Sequence, residues 1–174
     1  MSQLLGMIGF ASAFPFIPIY MRVRFGIEDP GLRGWYVSMF YFLGMTSFAI
    51  SQPIWGTLSD KFGRKMMLLR ASLLAGLLFP AMMLPDNVWG LIGVRFICSM
   101  FSGTVNSAQT LAVSITPAKH HGVVLGSLSS AIWSGNMLGF LGGSVIVYRY
   151  GYQAAFLFCG AMYLTGFFMI LFFV

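Results

Sequence analysis

Apolar residues in this chain run on for long stretches instead of alternating or recurring once per turn. Six runs stand out, at residues 3–20, 35–55, 67–84, 88–111, 123–147 and 153–174. Each approaches or passes the ~20 residues a helix needs to cross a bilayer core of about 30 Å. Continuous apolarity over such lengths excludes the dyad pattern of a membrane β-barrel strand. Prolines and glycines inside the runs do not argue against crossing, because neighbouring helices re-satisfy the freed backbone groups. The pattern predicts an all-α polytopic membrane protein with six transmembrane helices over residues 1–174.

Composition sharpens this. The 174 residues are 58% hydrophobic and only 8% charged, against roughly 25% charged in a soluble domain. So apolar a chain needs lipid as its solvent, and membrane lipid is its first expected partner. The formal net charge of +6 does not point to nucleic acid, because the cations lie mostly between the runs, where they mark membrane boundaries. Lys and Arg divide four and four between even and odd loops, so charge alone does not orient the chain. Cys98 and Cys159 sit in apolar runs and read as small core residues. Nothing in the sequence asks for a cofactor, a metal ion or a catalytic residue. The first run has no basic flank and contains Pro15 and Pro18, which fits a span better than a cleaved leader. A chain that opens and closes inside apolar runs is expected to be a piece of a longer protein.

Small residues recur at every fourth position on two predicted helices. On the fifth, Ser127, Ala131, Gly135, Gly139 and Gly143 form a ladder, and on the fourth Ser99, Gly103 and Ser107 form a shorter one. Such stripes allow close helix approach, the main attraction left when lipid removes the hydrophobic driving force. The sixth helix ends large and apolar from Phe167 to Val174 and is expected to face lipid.

The most informative segment is the loop Gly56-Thr-Leu-Ser-Asp60-Lys-Phe-Gly63-Arg64-Lys65. Gly56 is expected to allow close approach of a neighbour and Gly63 a tight turn. Asp60 and Arg64 have the four-residue spacing of a helical ion pair, and the carboxylate is also suited to capping a helix N-terminus.

Here the chain resembles the major facilitator superfamily, whose signature between helices two and three has the form Gly-x-Leu-small-Asp-basic-x-Gly-basic-basic. Gly9 followed by Pro15 to Pro18 is similar to the family's first-helix pattern, and Leu91 with Arg95 to its fourth-helix arginine motif, where Cys98 and Ser99 replace the usual Gln and Gly. Gly142 and Gly143 resemble the end of the antiporter glycine motif, but Leu138 and Gly139 stand where glycine and proline are usual. The resemblance implies two three-helix repeats forming the amino-terminal half of a twelve-span transporter, with a carboxy-terminal six-helix half as the missing partner. It implies a bacterial inner-membrane location with both termini and the signature loop cytoplasmic. It also implies that Asp60 and Arg64 latch against the other half, and it ties Arg95 to proton coupling. The branch it most resembles is the drug:proton antiporters, so the expected activity is multidrug-type efflux of hydrophobic or amphipathic small molecules. A sugar or metabolite carrier is the alternative.

Arg95 is read as a charge inside a span, at a cost of about 2.5–3.5 kcal/mol on insertion scales, and such charges usually face the bundle interior. Guanidinium does not titrate near neutral pH, and the four carboxylates Glu28, Asp29, Asp60 and Asp86 all fall in predicted loops. Any proton carrier is therefore expected outside this chain, or transport is not proton-driven. Phe10, Phe14 and Asn136 are candidates for lining a substrate cavity. An intramembrane serine protease is a remote rival, because it needs a histidine base at depth and the only histidines are His120 and His121 beside a loop. A six-helix channel is another.

Overall fold

The computed structural model describes residues 1–173, so Val174 lies outside the described residues. Every regular element is helical, with no strand among the described residues. α1 (Ser2–Ala13) passes through a 3₁₀ turn at Phe14–Phe16 into α2 (Ile17–Phe25). Pro15 and Pro18 each occupy the first positions of a new segment, where a missing N–H costs least. Gly26, at φ 65°, ends α2 in the left-handed conformation.

α3 (Pro30–Phe62) begins with Pro30 in its first turn and with Asp29 accepting from the Gly31 and Leu32 amides at 3.2 and 3.1 Å. Its 33 residues rise about 50 Å. It overruns the predicted second span at both ends, so Asp60 lies in a helical turn. α4 (Arg64–Leu78) follows after Gly63 alone, held at φ 91°, and runs into a 3₁₀ turn at Pro80–Met83.

α5 (Val88–Phe101) is capped by Asn87 and separated from α6 (Thr104–Ile115) by Ser102 in extended conformation and Gly103 at φ 126°. The predicted fourth span is thus broken, and the Ser99–Gly103–Ser107 stripe does not run along one helix. α7 (His121–Phe173) covers the predicted fifth and sixth spans with no loop between them; Gly151, at φ 83° and ψ 175°, breaks it in place of the expected connection around Arg149.

Among the described residues four helical stretches are long and apolar enough to cross a membrane: Ser2–Phe25, Arg64–Met83, Val88–Ile115 and Ala118–Phe172. α3 is not among them, because Ser38, Thr46, Ser47, Ser51 and Gln52 dilute its apolar character.

α1 is packed between the two arms of α7. A methyl group added at Gly135 would meet Met7 at 2.9 Å, and one added at Gly139 would meet the Ala11 methyl at 2.9 Å and the Ile8 carbonyl. Gly143 lies against the Ser12 backbone in the same way. On α1's other side, Gly9 leaves room for the Cys159 backbone and Met162, and Gly6 for the Tyr163 ring. Ser127, by contrast, is exposed and its hydroxyl donates to the Val124 carbonyl of its own helix, so the expected ladder does not pack at that rung. Ala131 is half-buried.

The core is aromatic and aliphatic, with Phe40, Phe79, Phe156, Met21, Met82 and Leu91 fully enclosed. Cys98 and Cys159 are buried free thiols within it. The end of α7 is not uniformly outward: Phe168 and Phe172 are exposed, but Ile170 is buried against Leu68, Leu69 and Ala108.

The reversals at 26–29, 84–87 and Gly151 gather at one end of the bundle. There an exposed ion pair, Arg24 to Asp86 at 3.0 Å, ties the first two together, and Arg24 shares a cleft with Gly151. Beside Gly63, Arg64 reaches Thr110 in the last turns of α6.

Candidate functional site

Two polar regions interrupt this apolar bundle. The first is a cleft of about 200 Å³ beside the Gly63 reversal, between the end of α3 and α6. Asp60 and Arg64 both line it, with Gln52, Asn106 and Thr110. The expected Asp60–Arg64 ion pair does not form; among the described residues the salt bridge is Arg24–Asp86. The reason is local. Gly63 at φ 91° ends one helix and starts the next, so the pair does not share the continuous turn that four-residue spacing requires. Arg64 instead donates from Nη1 to the Thr110 carbonyl at 3.0 Å. Nor does Asp60 cap α4, whose N-cap is Gly63 without a side-chain hydrogen bond. Lys65 is half-buried.

Gly56 also departs from expectation. A methyl group there would meet nothing within 4 Å, so the close approach it was expected to allow is not made to a described part of this chain.

Sequence reasoning missed Arg70 in α4. Its guanidinium carbon sits 3.4 Å above the centre of the Trp55 ring, while Nε and Nη1 are buried without partners. The Trp55 indole donates to the Met100 carbonyl at 2.7 Å, fixing the platform. The Gln52–Asn106 amide pair, 2.8 Å apart, was missed as well. The available signal was the amide on each of two otherwise apolar runs.

The second region surrounds Arg95 on α5, whose residue is only 6% exposed. Gly44 makes room for it: a methyl group at Gly44 would stand 2.7 Å from Arg95 Nε. The guanidinium lies over the Phe14 ring at 4.6 Å and the Phe40 ring at 5.5 Å, a favourable approach of a cation to an aromatic face. Among the described residues it has no carboxylate partner. Asp29 caps α3, Asp86 pairs with Arg24, Glu28 is exposed, and Asp60 is at the far end of α3.

A cavity of about 160 Å³ opens beside Arg95, lined also by Phe10, Phe48, Ser99 and Ser102. A second, of about 180 Å³, adjoins it through Phe10, Phe48 and Ser102 and reaches Gly103, Asn136 and Tyr163. Phe10 thus stands on both cavity walls and Asn136 on one. Phe14 does not line either; it is 3% exposed and stacked on Phe10 at 4.0 Å, so it supports the wall from the core.

A sequence model of the Major Facilitator Superfamily matches residues 1–174. The chain is 32% identical over 166 residues to the multidrug resistance protein MdtG of Proteus mirabilis, covering 95% of this chain and 41% of that protein. It is 31% identical over 169 residues to a multi-drug resistance efflux pump PmrA homolog of Lactococcus lactis, covering 95% and 40%. Against MdtG of Escherichia coli the identity is 30% over 163 residues, covering 94% and 40%. The chain therefore spans about two fifths of the length of these curated relatives. With the family pattern extending over every helix just described, this integral membrane chain belongs to the major facilitator superfamily.

Proposed function

We propose that these residues form the amino-terminal six-helix half of an alternating-access transporter that exports hydrophobic or amphipathic small molecules. The six crossings are α1–α2, α3, α4, α5–α6 and the two arms of α7, read as two three-helix repeats, an architecture common among secondary transporters. In this reading both termini and the Gly63 reversal face the cytoplasm of a bacterial cell, and a second six-helix half closes over the open faces.

The observation that carries the reading is the pairing of an enclosed seam with an open polar and apolar face. Phe10, Phe48, Arg95 and Asn136 surround the adjoining cavities, while Gly56 and the Asp60–Arg64 cleft stand beside open space. The Arg64 bond to Thr110 leaves the Asp60 carboxylate free for a partner outside this chain. Asp60 and Arg64 then serve as the latch between halves, and Arg95 as the charged group of the cavity. The likeness to multidrug resistance proteins, one of them named an efflux pump, favours export over uptake of a sugar or metabolite.

The test is export of Nile red, an uncharged apolar dye, from preloaded cells of a drug-hypersusceptible bacterium expressing the gene with its adjoining downstream coding sequence. Dye is expected to leave several-fold faster than from vector controls, and Gly56→Leu is expected to abolish the gain at unchanged membrane abundance. Dye loss no faster than in controls, across a panel of such compounds, overturns the efflux reading.

A further inference from the structure

The break between α5 and α6 lies deep in the bundle. Gly103 follows the cap Asn87 by 16 positions, which at 1.5 Å per residue is about 24 Å along the helix axis. Irregular backbone at such depth is tolerated where it lines a cavity or is buried in protein, and Ser102, Gly103 and Thr104 all line one here. α6 starts there with 12 residues and no side-chain cap. Its first-turn amides therefore present donors and the positive end of a helix dipole to that space.

Independent of the helix end, Arg95 points to the same kind of occupant. The residue is 6% exposed, its Nε has no partner, and no carboxylate neutralises it. One turn further on, Ser99 is 2% exposed, and its hydroxyl is also unpartnered. Both line the cavity that joins the first through Ser102. The Asn136 amide nitrogen is committed to the Ile132 carbonyl at 3.0 Å, which leaves its oxygen as an acceptor on the wall of the adjoining cavity, away from Arg95. Around Arg95 itself the unpartnered groups are its own Nε and the Ser99 hydroxyl, a cation and a donor in a cavity walled by Phe10 and Phe48.

Resting on the reading of these cavities as the substrate path, we propose that the site takes amphipathic molecules bearing an anionic or strongly accepting group. That group lies between Arg95, Ser99 and the amino end of α6, and the apolar body lies against Phe10 and Phe48. Organic cations of the same shape are disfavoured, since each would bring a second positive charge beside Arg95 into a medium that screens poorly.

Three compounds with one aromatic body test this: naphthalene-2-carboxylate, naphthalene-2-carboxamide and 2-naphthylmethylammonium. Each is titrated calorimetrically into the protein in phosphatidylcholine nanodiscs, with empty nanodiscs subtracted. The carboxylate is expected to bind at least tenfold more tightly than the ammonium compound, with the carboxamide between them. Arg95→Gln is expected to remove the preference and Arg95→Lys to keep most of it, so loss of charge is separated from loss of fold. Equal or tighter binding of the ammonium compound overturns the proposal while leaving the cavity as a binding site. A preference that survives Arg95→Gln overturns the assignment to Arg95. Failure of all three to bind removes both the proposal and the reading of the cavities on which it rests.

Discussion

The seam between α1 and α7 and the hairpin end of α3 are both built with glycine, and they use it in opposite ways. At Gly135, Gly139 and Gly143 the space a side chain would need is filled by the backbone and short side chains of α1. At Gly56, and at Gly142 beside the seam on the same α7 arm, the space is open. The difference separates two roles that identical residue types conceal. Crowded glycines build this bundle; open ones leave a surface available to something else.

The contrast is broken most severely by filling the seam. Gly139→Val must push α1 and α7 apart, an overpacking cost of about 3 kcal/mol, or a fall of about 10 °C in unfolding midpoint at 2–4 °C per kcal/mol. The buried thiols of Cys98 and Cys159 supply the readout, because a thiol-reactive fluorophore lights up only as they become accessible. Gly142→Val, three residues further along, is expected to leave the midpoint within about 2 °C, given the few tenths of a kcal/mol typical of surface changes. Equal losses at the two positions would erase the distinction.

Gly103→Ala is the next largest effect. It forces a non-glycine residue to a φ of 126°, at about 1–2 kcal/mol, and sets a methyl group 3.1 Å from the Gln52 amide. A drop of about 5 °C in the same thiol assay follows. An unchanged midpoint would mean that α5 and α6 can join into one helix at no cost.

Trp55→Phe is the smallest of the three. It removes the indole donor to the Met100 carbonyl while keeping a ring beneath Arg70. The net loss is about 1 kcal/mol, which shows as a shift of about 3 °C. A shift as large as that at Gly139 would make the Trp55–Arg70 stack part of the seam's architecture instead of an accessory to it.

Much of this was legible from residue order. Long apolar runs give helical rods because lipid leaves the backbone no partner but itself, and each predicted run is mainly helical, the one at 88–111 with a break at Ser102 and Gly103. The fourth-position spacing of Gly135, Gly139 and Gly143 identified the face that meets a neighbour, although not that the neighbour is α1. Arg95 was legible as an interior charge because nothing else on its run is charged.

What stayed hidden were breaks made by single glycines. Gly103 and Gly151 break the helical course by a positive φ, which the many other glycines of the same runs could equally have adopted and which leaves no mark in local composition. Gly63 hid the fate of Asp60 and Arg64 in the same way. Their spacing promises an ion pair only if the turn between them is helical, and the reversal at Gly63 sends Arg64 to Thr110. Ser127 shares the four-residue period, yet its hydroxyl turns back to the Val124 carbonyl of its own helix, and spacing alone does not distinguish it from the glycines that meet α1.

The membrane arrangement itself is tested by placing single cysteines at the two ends of the bundle, Lys61→Cys beside the signature hairpin and Asp86→Cys at the opposite reversal. Intact spheroplasts are then treated with a membrane-impermeant maleimide. Label is expected on Asp86→Cys in intact spheroplasts, and on Lys61→Cys only after the membrane is opened. The reverse order, or equal labelling of both from outside, contradicts a bundle that spans the bilayer with its Asp60–Arg64 end in the cell.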